Sequence, residues 1–238
     1  MASNALEWIS TTIVVSMVAI ATVMGIGSYR VSRSLGIHKM PASLAVGVFL
    51  MGWLVLALVL GMQGFFRPNP AVSIPNIAYS AIPLVIGYGL ASGSTALRKT
   101  VEATPPQWII GVQVYRTLGI VFLILYAQQR LPGVFAVPAG VGDMIIGITA
   151  PLVAYLHFAK QQWARGLAIL WNVAGIADLI LAVTLGFLSS PGPFQLLALD
   201  SPNELITSFP LVLIPTFAVP LSILLHLLSL RVLLSRKR

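Results

Sequence analysis

The chain has no cysteine and very few charged residues, and each shortage excludes a class of protein. Without cysteine, the chain forms no disulfides, thiolate metal sites, iron–sulfur clusters or cysteine nucleophiles. Charged residues make up 8% of the 238 positions, against about 25% in an ordinary soluble domain. Hydrophobic residues account for 58%. This is the composition of an integral membrane protein whose main partner is the lipid bilayer.

Motifs of enzymes and cofactor sites are also scarce. The sequence holds no phosphate-binding loop, no serine nucleophile elbow and no zinc-binding helix motif. Its three histidines are too few and too scattered to predict a metal or haem site. We therefore expect no cofactor and no metal, and the sequence favours a protein that is not an enzyme.

Seven apolar runs divide the sequence, each close to the roughly 20 residues needed to cross about 30 Å of hydrocarbon as a helix. They predict a single all-α domain over residues 1–238, a polytopic transmembrane bundle of seven spans. The first run is too long and too weakly basic at its front for a secretory signal, so we expect it to remain as a span. Short turns such as Arg67-Pro-Asn-Pro70 connect the runs. The predicted spans are about 8–29, 42–62, 77–93, 108–127, 137–158, 167–188 and 210–234.

The positive charges alternate between the two ends of these runs. Eleven lysines and arginines lie in the first, third and fifth connections and the tail, while the other connections hold only Arg67 and Arg130. Because positive residues stay on the cytoplasmic side, the N-terminus is predicted outside and the C-terminus in the cytoplasm. The net charge of +8 then reflects orientation, and no nucleic-acid partner is expected. The short connections favour a plasma membrane, in particular a bacterial inner membrane. The eleven residues are Arg30, Arg33, Lys39, Arg98, Lys99, Lys160, Arg165, Arg231, Arg236, Lys237 and Arg238.

A faint internal similarity is compatible with three spans, a linker helix and three further spans in the same orientation. Residues 53–61 align with 178–186 at an offset of 125, and residues 83–85 align with 210–212 at an offset of 127. This 3+1+3 arrangement resembles the topology of sugar-efflux transporters of the SWEET type, and the seven spans also resemble those of opsins. The motifs of both families are missing: the Pro-Gln pair at 106–107 starts span four, and span seven has no lysine for a retinal Schiff base.

Three ionisable residues, Arg116, Asp143 and Asp178, lie well inside predicted spans four, five and six. Each costs about 2.5–3.5 kcal/mol at the centre of a lone helix, so we expect these side chains to face the bundle and one another. At about 1.5 Å per residue, they lie about 12, 22 and 16 Å from the cytoplasmic side, which favours pairing of Arg116 with Asp178. Gln113 and Asn172 complete the predicted polar cluster. Two interpretations stay open: a contact that fixes helix packing, and a substrate or ion path.

One guanidinium against two carboxylates leaves one acid over, and the depths make Asp143 the unpaired acid. A carboxyl without a cation in a low-dielectric site tends to hold a proton, a property that proton-coupled carriers use. Two alternatives stay open. Asp143 follows the poorly helical residues 137–142 and would cap a helix that begins there. In the second alternative, Asp143 pairs with Arg116, and Asp178 is the carboxylate without a cation.

Two further patterns concern the shape of the bundle. Prolines in or at the ends of spans three, five and seven predict kinked or broken helices. Ser201-Pro-Asn-Glu204 fits a capping box and predicts a short outer helix before span seven. The prolines are Pro83, Pro138, Pro151, Pro215 and Pro220.

These patterns favour a small transporter that moves a solute or ion between spans four to seven, with proton coupling at Asp143. The alternative is a structural or sensory membrane subunit without transport activity, and an intramembrane enzyme is the third interpretation. The predicted path residues are Gln113, Arg116, Asp143, Asn172 and Asp178.

Overall fold

The computed structural model describes residues 2–36, 40–68 and 76–235, and these residues form helices and connections with no strand. The predicted all-α class is therefore confirmed. Six helices in the described ranges are long and apolar enough to cross a membrane, or up to seven if one bent pair forms a single span. Some residues used in the charge and turn predictions lie outside the described residues: Lys39, Asn69, Pro70, Arg236, Lys237 and Arg238.

The helices of the described residues are numbered α1 to α9 along the chain, and three shorter 3₁₀ segments and one π-turn lie between them. The 3₁₀ segments are Asn76–Ser80, Val112–Gly119 and Leu205–Thr207, and the π-turn is Ile214–Ala218. The helices are α1 Ala2–Ser34, α2 Met40–Met62, α3 Ala81–Gly93, α4 Thr95–Ala103, α5 Pro106–Gly111, α6 Ile120–Ala127, α7 Gly133–Phe158, α8 Ala164–Ser189 and α9 Val219–Ser235.

The third predicted span ends in a sharp bend. The segment Asn76–Gly93 meets α4 at 91°. Ser94 at the bend is extended, and its hydroxyl accepts a hydrogen bond from the backbone N–H of Leu97, which caps the start of α4. The bend thus has a local cause in the sequence, a serine that starts a new helix.

The helix that contains Arg116 changes its winding in the middle. Between α5 and α6, the eight residues Val112–Gly119 form a 3₁₀ segment, which is longer than the usual three or four residues. Residues three apart in such a segment lie above one another, so Gln113, Arg116 and Gly119 share one face. This segment packs against α7.

The seventh predicted span begins with the π-turn and continues as α9. Pro220 has no backbone N–H to donate to the carbonyl of Thr216 four residues earlier. The indole Nε1 of Trp53 on α2 donates to that carbonyl over 2.9 Å instead. The broken start predicted for this span is confirmed. In contrast, α7 continues as one helix through Pro138 and Pro151.

The prediction that Asp143 caps a helix is wrong. Asp143 lies within α7, which begins at Gly133, so its backbone amide is already part of the helix. Unpaired backbone groups are costly in hydrocarbon, which keeps residues 137–142 helical. Their glycines instead allow close packing, because a Cβ at Gly140 would collide with Leu123 on α6.

The outer helix predicted from Ser201-Pro-Asn-Glu204 is also different in the structure. The helical turn is the 3₁₀ segment Leu205–Thr207, and no side chain caps it. The backbone N–H of Asn203 donates to the carbonyl of Ser189 over 2.9 Å. This bond ties the segment to the end of α8.

Four spans form a ring in cross-section. Helix α7 packs against α5, the Arg116 segment and α6 on one side and against α8 on the other. Helix α8 packs against α9, and α9 packs against α5. Side chains that point inward from these spans therefore meet in the middle of the ring.

Candidate functional site

Arg116 lies at the centre of this ring, with a side chain that is 1% exposed. Its Nε donates a hydrogen bond to Asp143 Oδ1 over 2.8 Å, and its Nη2 donates to Asp178 Oδ2 over 2.5 Å. Its Nη1 donates to the carbonyl of Gly175 at 3.4 Å and to His226 Nε2 at 3.1 Å. Because charge-assisted hydrogen bonds are stronger than neutral ones, one guanidinium holds its own 3₁₀ segment, α7, α8 and α9 together.

The prediction that one carboxylate lacks a cation is therefore wrong, since both acids contact Arg116. The predicted depths were counted from residues 108 and 167, whereas α5 begins at Pro106 and α8 at Ala164. In addition, a 3₁₀ segment rises about 2.0 Å per residue, where a regular α-helix rises about 1.5 Å. Measured from the end at which α5 and α8 begin, Arg116 lies about 17 Å deep, Asp178 about 21 Å and Asp143 about 22 Å. Arg116, Asp178 and Asp143 thus reach nearly one level, and the flexible arginine stem covers the remainder.

His226 on α9 continues the network toward Asn172. Because arginine nitrogens only donate, His226 Nε2 is the acceptor, and the ring proton is on Nδ1. Nδ1 then donates to Asn172 Oδ1 over 2.9 Å. Asn172 Nδ2 donates to the carbonyl of Ala168 at 2.7 Å and to Ser229 Oγ at 3.1 Å. This chain of bonds fixes the imidazole as a neutral acceptor and so positions Nη1 of Arg116.

Three glycines make room for the charged side chains. A Cβ added at Gly142 would overlap the carboxylate of Asp178, and one at Gly175 would overlap the imidazole of His226. A Cβ at Gly119 would overlap Cβ of Asp143. Each glycine therefore stands where a backbone approaches one partner of Arg116, and a larger residue would push that partner away.

Gln113 is buried on the same face of the 3₁₀ segment as Arg116, but it is not part of the network. It is 0% exposed, and neither its amide nitrogen nor its amide oxygen has a hydrogen-bond partner among the described residues. A buried polar group without a partner costs about 1–3 kcal/mol. The side chain is thus a source of instability in this conformation.

A cavity of about 670 Å³ lies beside the network. Along α7 and α8, its lining residues run from Phe135 and Phe187 near the helix ends inward to Asp143 and Leu179. Helices α3 and α9 supply much of the remaining wall. Asp143 and Arg67 are the charged residues among the described side chains that line it. The connections at this end of the bundle complete the lining with residues 66–68, 76–78, 80–81, 190–195 and 206–207.

The two oxygens of Asp143 have different surroundings. Oδ1 accepts from Arg116, whereas Oδ2 has no hydrogen-bond donor among the described residues, and the side chain is 12% exposed. A second void of about 20 Å³ touches Arg116, Asp143, Tyr115 and Ser222, and such a volume holds about one water. Asp143 is therefore the member of the network in contact with both spaces.

The opposite side of the network is closed by apolar packing. Trp171 stacks at a tilt on His226, with ring centroids 5.1 Å apart, and donates from Nε1 to Thr149 Oγ1 over 2.9 Å. The cavity thus reaches the network from one end of the bundle, and an apolar cluster fills the other end. The cluster consists of Ile110, Ile146, Ala150, Val153, Ala168, Trp171 and Leu233.

The structure brings together four of the five residues predicted from the sequence and separates the fifth. Arg116, Asp143, Asp178 and Asn172 belong to one hydrogen-bonded network, and Gln113 does not. Sequence reasoning missed His226, which it weighed only as a haem ligand. The spacing of His226 and Ser229, one helical turn apart on span seven, was the available signal.

The helices and this buried network define an all-helical protein with several helices suited to a membrane. The chain belongs to the family described as a domain of unknown function, DUF8737, whose model matches residues 74–234. The match includes every residue of the ionic network, while α1 and α2 lie before it. No curated protein and no solved structure matches the chain.

Proposed function

We propose that the protein is a small proton-coupled carrier of a plasma membrane, with seven spans, an external N-terminus and a cytoplasmic C-terminus. The observation that carries this proposal is the position of Asp143. Its Oδ1 is held by Arg116, while its side chain lines the large cavity. A carboxyl in this position can exchange a proton with the cavity while its partner stays inside the bundle.

Three contacts support the proposed orientation by placing positively charged segments at one end of the bundle. Ser32 at the end of α1 lies 3.0 Å from Thr100 on α4, measured between the hydroxyl oxygens. Arg231 near the end of α9 lies 3.7 Å from Glu102 on α4. Arg165 at the start of α8 donates to the carbonyl of Leu233. This end carries most of the lysines and arginines, as expected for a cytoplasmic face.

The third span in this proposal is the segment Asn76–Gly93. Five 3₁₀ residues and thirteen α-helical residues give a length of about 30 Å, which equals the hydrocarbon thickness. After the bend at Ser94, the short helix α4 then lies along the cytoplasmic surface. The proposal does not depend on the 3+1+3 duplication, which stays a hypothesis about the origin of the chain.

The charges of the network explain how a proton would control the carrier. With both carboxylates ionised, the network holds one net negative charge, which is costly inside a membrane. With a proton on Asp143, Arg116 and Asp178 balance each other. A bound cation would have the same effect. The neutral forms are therefore the ones in which the spans rearrange at low cost.

A carrier must also expose its site to the other side. The cavity reaches Asp143 from the proposed outer face, and the cluster around Trp171 closes the inner face. The two irregular segments, Val112–Gly119 and Ile214–Ala218, lie in the spans that carry Arg116 and His226. Because such segments often mark hinges, we assign the opening of the inner face to them.

The test is flux in proteoliposomes that contain the purified full chain and a trapped pH-sensitive dye. A panel of amines, amino acids, sugars and inorganic ions is added outside under an imposed pH gradient. We expect at least one member to drive proton movement with the wild-type chain and none to do so with Asp143→Asn. Asp200→Asn, a change of the same kind in the loop after α8, is the control that should retain the flux.

A structural subunit would give a different pattern. In that case no member of the panel moves protons, and Asp143→Asn lowers only the thermal stability. That combination would reject the carrier. Flux that persists unchanged in Asp143→Asn would remove Asp143 from the proposed role.

A further inference from the structure

We propose that the cavity binds a lipophilic cation, and that this cation and a proton compete for Asp143. This inference rests on the proposed carrier function and specifies its substrate class. Its basis is the combination of an apolar cavity and one buried carboxylate at its inner end.

The size and lining of the cavity suit an apolar molecule of the size of a drug. A volume of about 670 Å³ lies within the 300–1,000 Å³ common for small-molecule sites. Around Asp143 the wall consists of apolar side chains, which offer a sugar or an amino acid few hydrogen bonds. The apolar side chains of the lining include Phe122, Phe135, Leu179 and Ala182.

The charges favour a cation over an anion at the inner end. Arg67 is exposed at the mouth, where water and salt screen its charge. Asp143 is 9% exposed, and with both carboxylates ionised its network carries one net negative charge, which acts over a longer range inside the bundle.

The exchange step is balanced in atoms and charge. Protonated Asp143 loses its proton to water in the cavity, and the resulting carboxylate pairs with the positive group of the ligand. No bond other than the O–H bond breaks. The network with its bound cation has the same total charge as the network with its proton. The charged and titratable groups that face Asp143 from the neighbouring spans are Arg116, Tyr115, Asp178 and, through Arg116, His226.

Tetraphenylphosphonium and tetraphenylborate form a matched pair of probes, because they share one shape and carry opposite charges. Binding of each to the purified full chain is measured by calorimetry in two buffers of different ionisation heat. We expect the cation to bind with release of about one proton per ligand, and Asp143→Asn to weaken it by about 10- to 100-fold, as for loss of a charged partner. The borate should bind more weakly and should not respond to Asp143→Asn.

A second variant keeps the test valid if Asp143→Asn folds poorly. Ala182→Trp adds a large side chain to the cavity lining without replacing a residue of the ionic network, and we expect it to weaken cation binding while the melting temperature stays near the wild-type value. Equal binding of the cation by wild type, Asp143→Asn and Ala182→Trp would overturn the inference. So would tighter binding of the borate than of the cation.

The outcomes separate this inference from the carrier function on which it rests. If another solute drives proton movement in proteoliposomes and the phosphonium neither binds nor moves, the carrier stands and the substrate class is wrong. If the phosphonium binds with proton release but no solute crosses the membrane, the site exists and the carrier function is wrong.

Discussion

Arg116 Nε lies 2.8 Å from Asp143 Oδ1, and this contact connects the irregular middle of span four to the centre of α7. The same guanidinium reaches Asp178 on α8 and His226 on α9. A single side chain therefore determines how four helices meet. The space beside Asp143 is the inner end of the large cavity, so packing and the proposed transport chemistry share one residue pair.

Replacing Arg116 should damage the fold more than replacing either acid. Arg116→Leu leaves two carboxylates facing each other without a cation, and loss of one partner from a buried ion pair costs about 3–5 kcal/mol. Arg116→Lys keeps the charge but cannot direct separate donors to Asp143, Asp178 and His226. We expect the melting temperature in detergent to fall for both, and further for leucine. An unchanged melting temperature for Arg116→Leu would show that the network does not hold the spans together.

Gly142→Ala should displace Asp178 from Arg116. The added methyl group would occupy the position of the Asp178 carboxylate, so either that side chain or the contact between α7 and α8 must shift. Gly89→Ala on α3 is the matched control, because nothing lies within 4 Å of its added Cβ. We expect Gly142→Ala to lower thermal stability and Gly89→Ala to leave it unchanged or raise it by up to about 1 kcal/mol. Equal effects of the two changes would contradict the observed approach of α7 and α8.

Gln113→Met should stabilise the chain. Methionine is similar in shape to glutamine but has no amide group to leave without partners, so the free energy of unfolding should rise by about 1–3 kcal/mol. If Gln113 gains partners when the inner face opens, the same variant will slow flux. Thermal denaturation followed by the flux assay measures both effects. A lower melting temperature would mean that Gln113 has a stabilising partner in the native state.

The absence of cysteine makes the proposed orientation easy to test. Gln128 lies exposed before α7 and Gln161 lies exposed after it. A membrane-impermeant maleimide should label Gln128→Cys in intact cells and Gln161→Cys only after the membrane is permeabilised. The reverse pattern would invert the topology, and labelling of both in intact cells would show that α7 does not cross the membrane.

Much of the fold could be predicted from residue patterns, because apolar runs and caps act locally. The long apolar runs predicted the membrane-length helices, and the prolines of span seven predicted its irregular start. The 3₁₀ winding around Arg116 has no such local signal, since it depends on how closely Gly140 and Gly147 let α7 approach. This winding, together with the start of α5 at Pro106, brings Arg116 closer to the level of Asp143. For this reason the sequence predicted contact with one carboxylate where the structure shows two.

The members of the network show the same division. Charged residues within apolar runs are conspicuous, so Arg116, Asp143 and Asp178 could be selected from the sequence alone. His226 is less conspicuous, because it is uncharged and lies in the middle of an apolar helix, where only its spacing from Ser229 marks it. The packing of the four helical stretches directs it toward Arg116. Gln113 lies three residues before Arg116, as expected for a shared face, but no described residue is placed to bond its amide group. Such placement depends on packing, which the sequence does not show.

The most direct test of the account is infrared difference spectroscopy of the purified chain during acidification, which detects the C=O stretch of a protonated carboxyl group. We predict a band in the wild-type chain that is lost in Asp143→Asn and retained in Asp178→Asn, because Asp143 reaches the cavity and Asp178 stays paired with Arg116. A band that survives in Asp143→Asn and disappears in Asp178→Asn would contradict the assignment of the proton to Asp143.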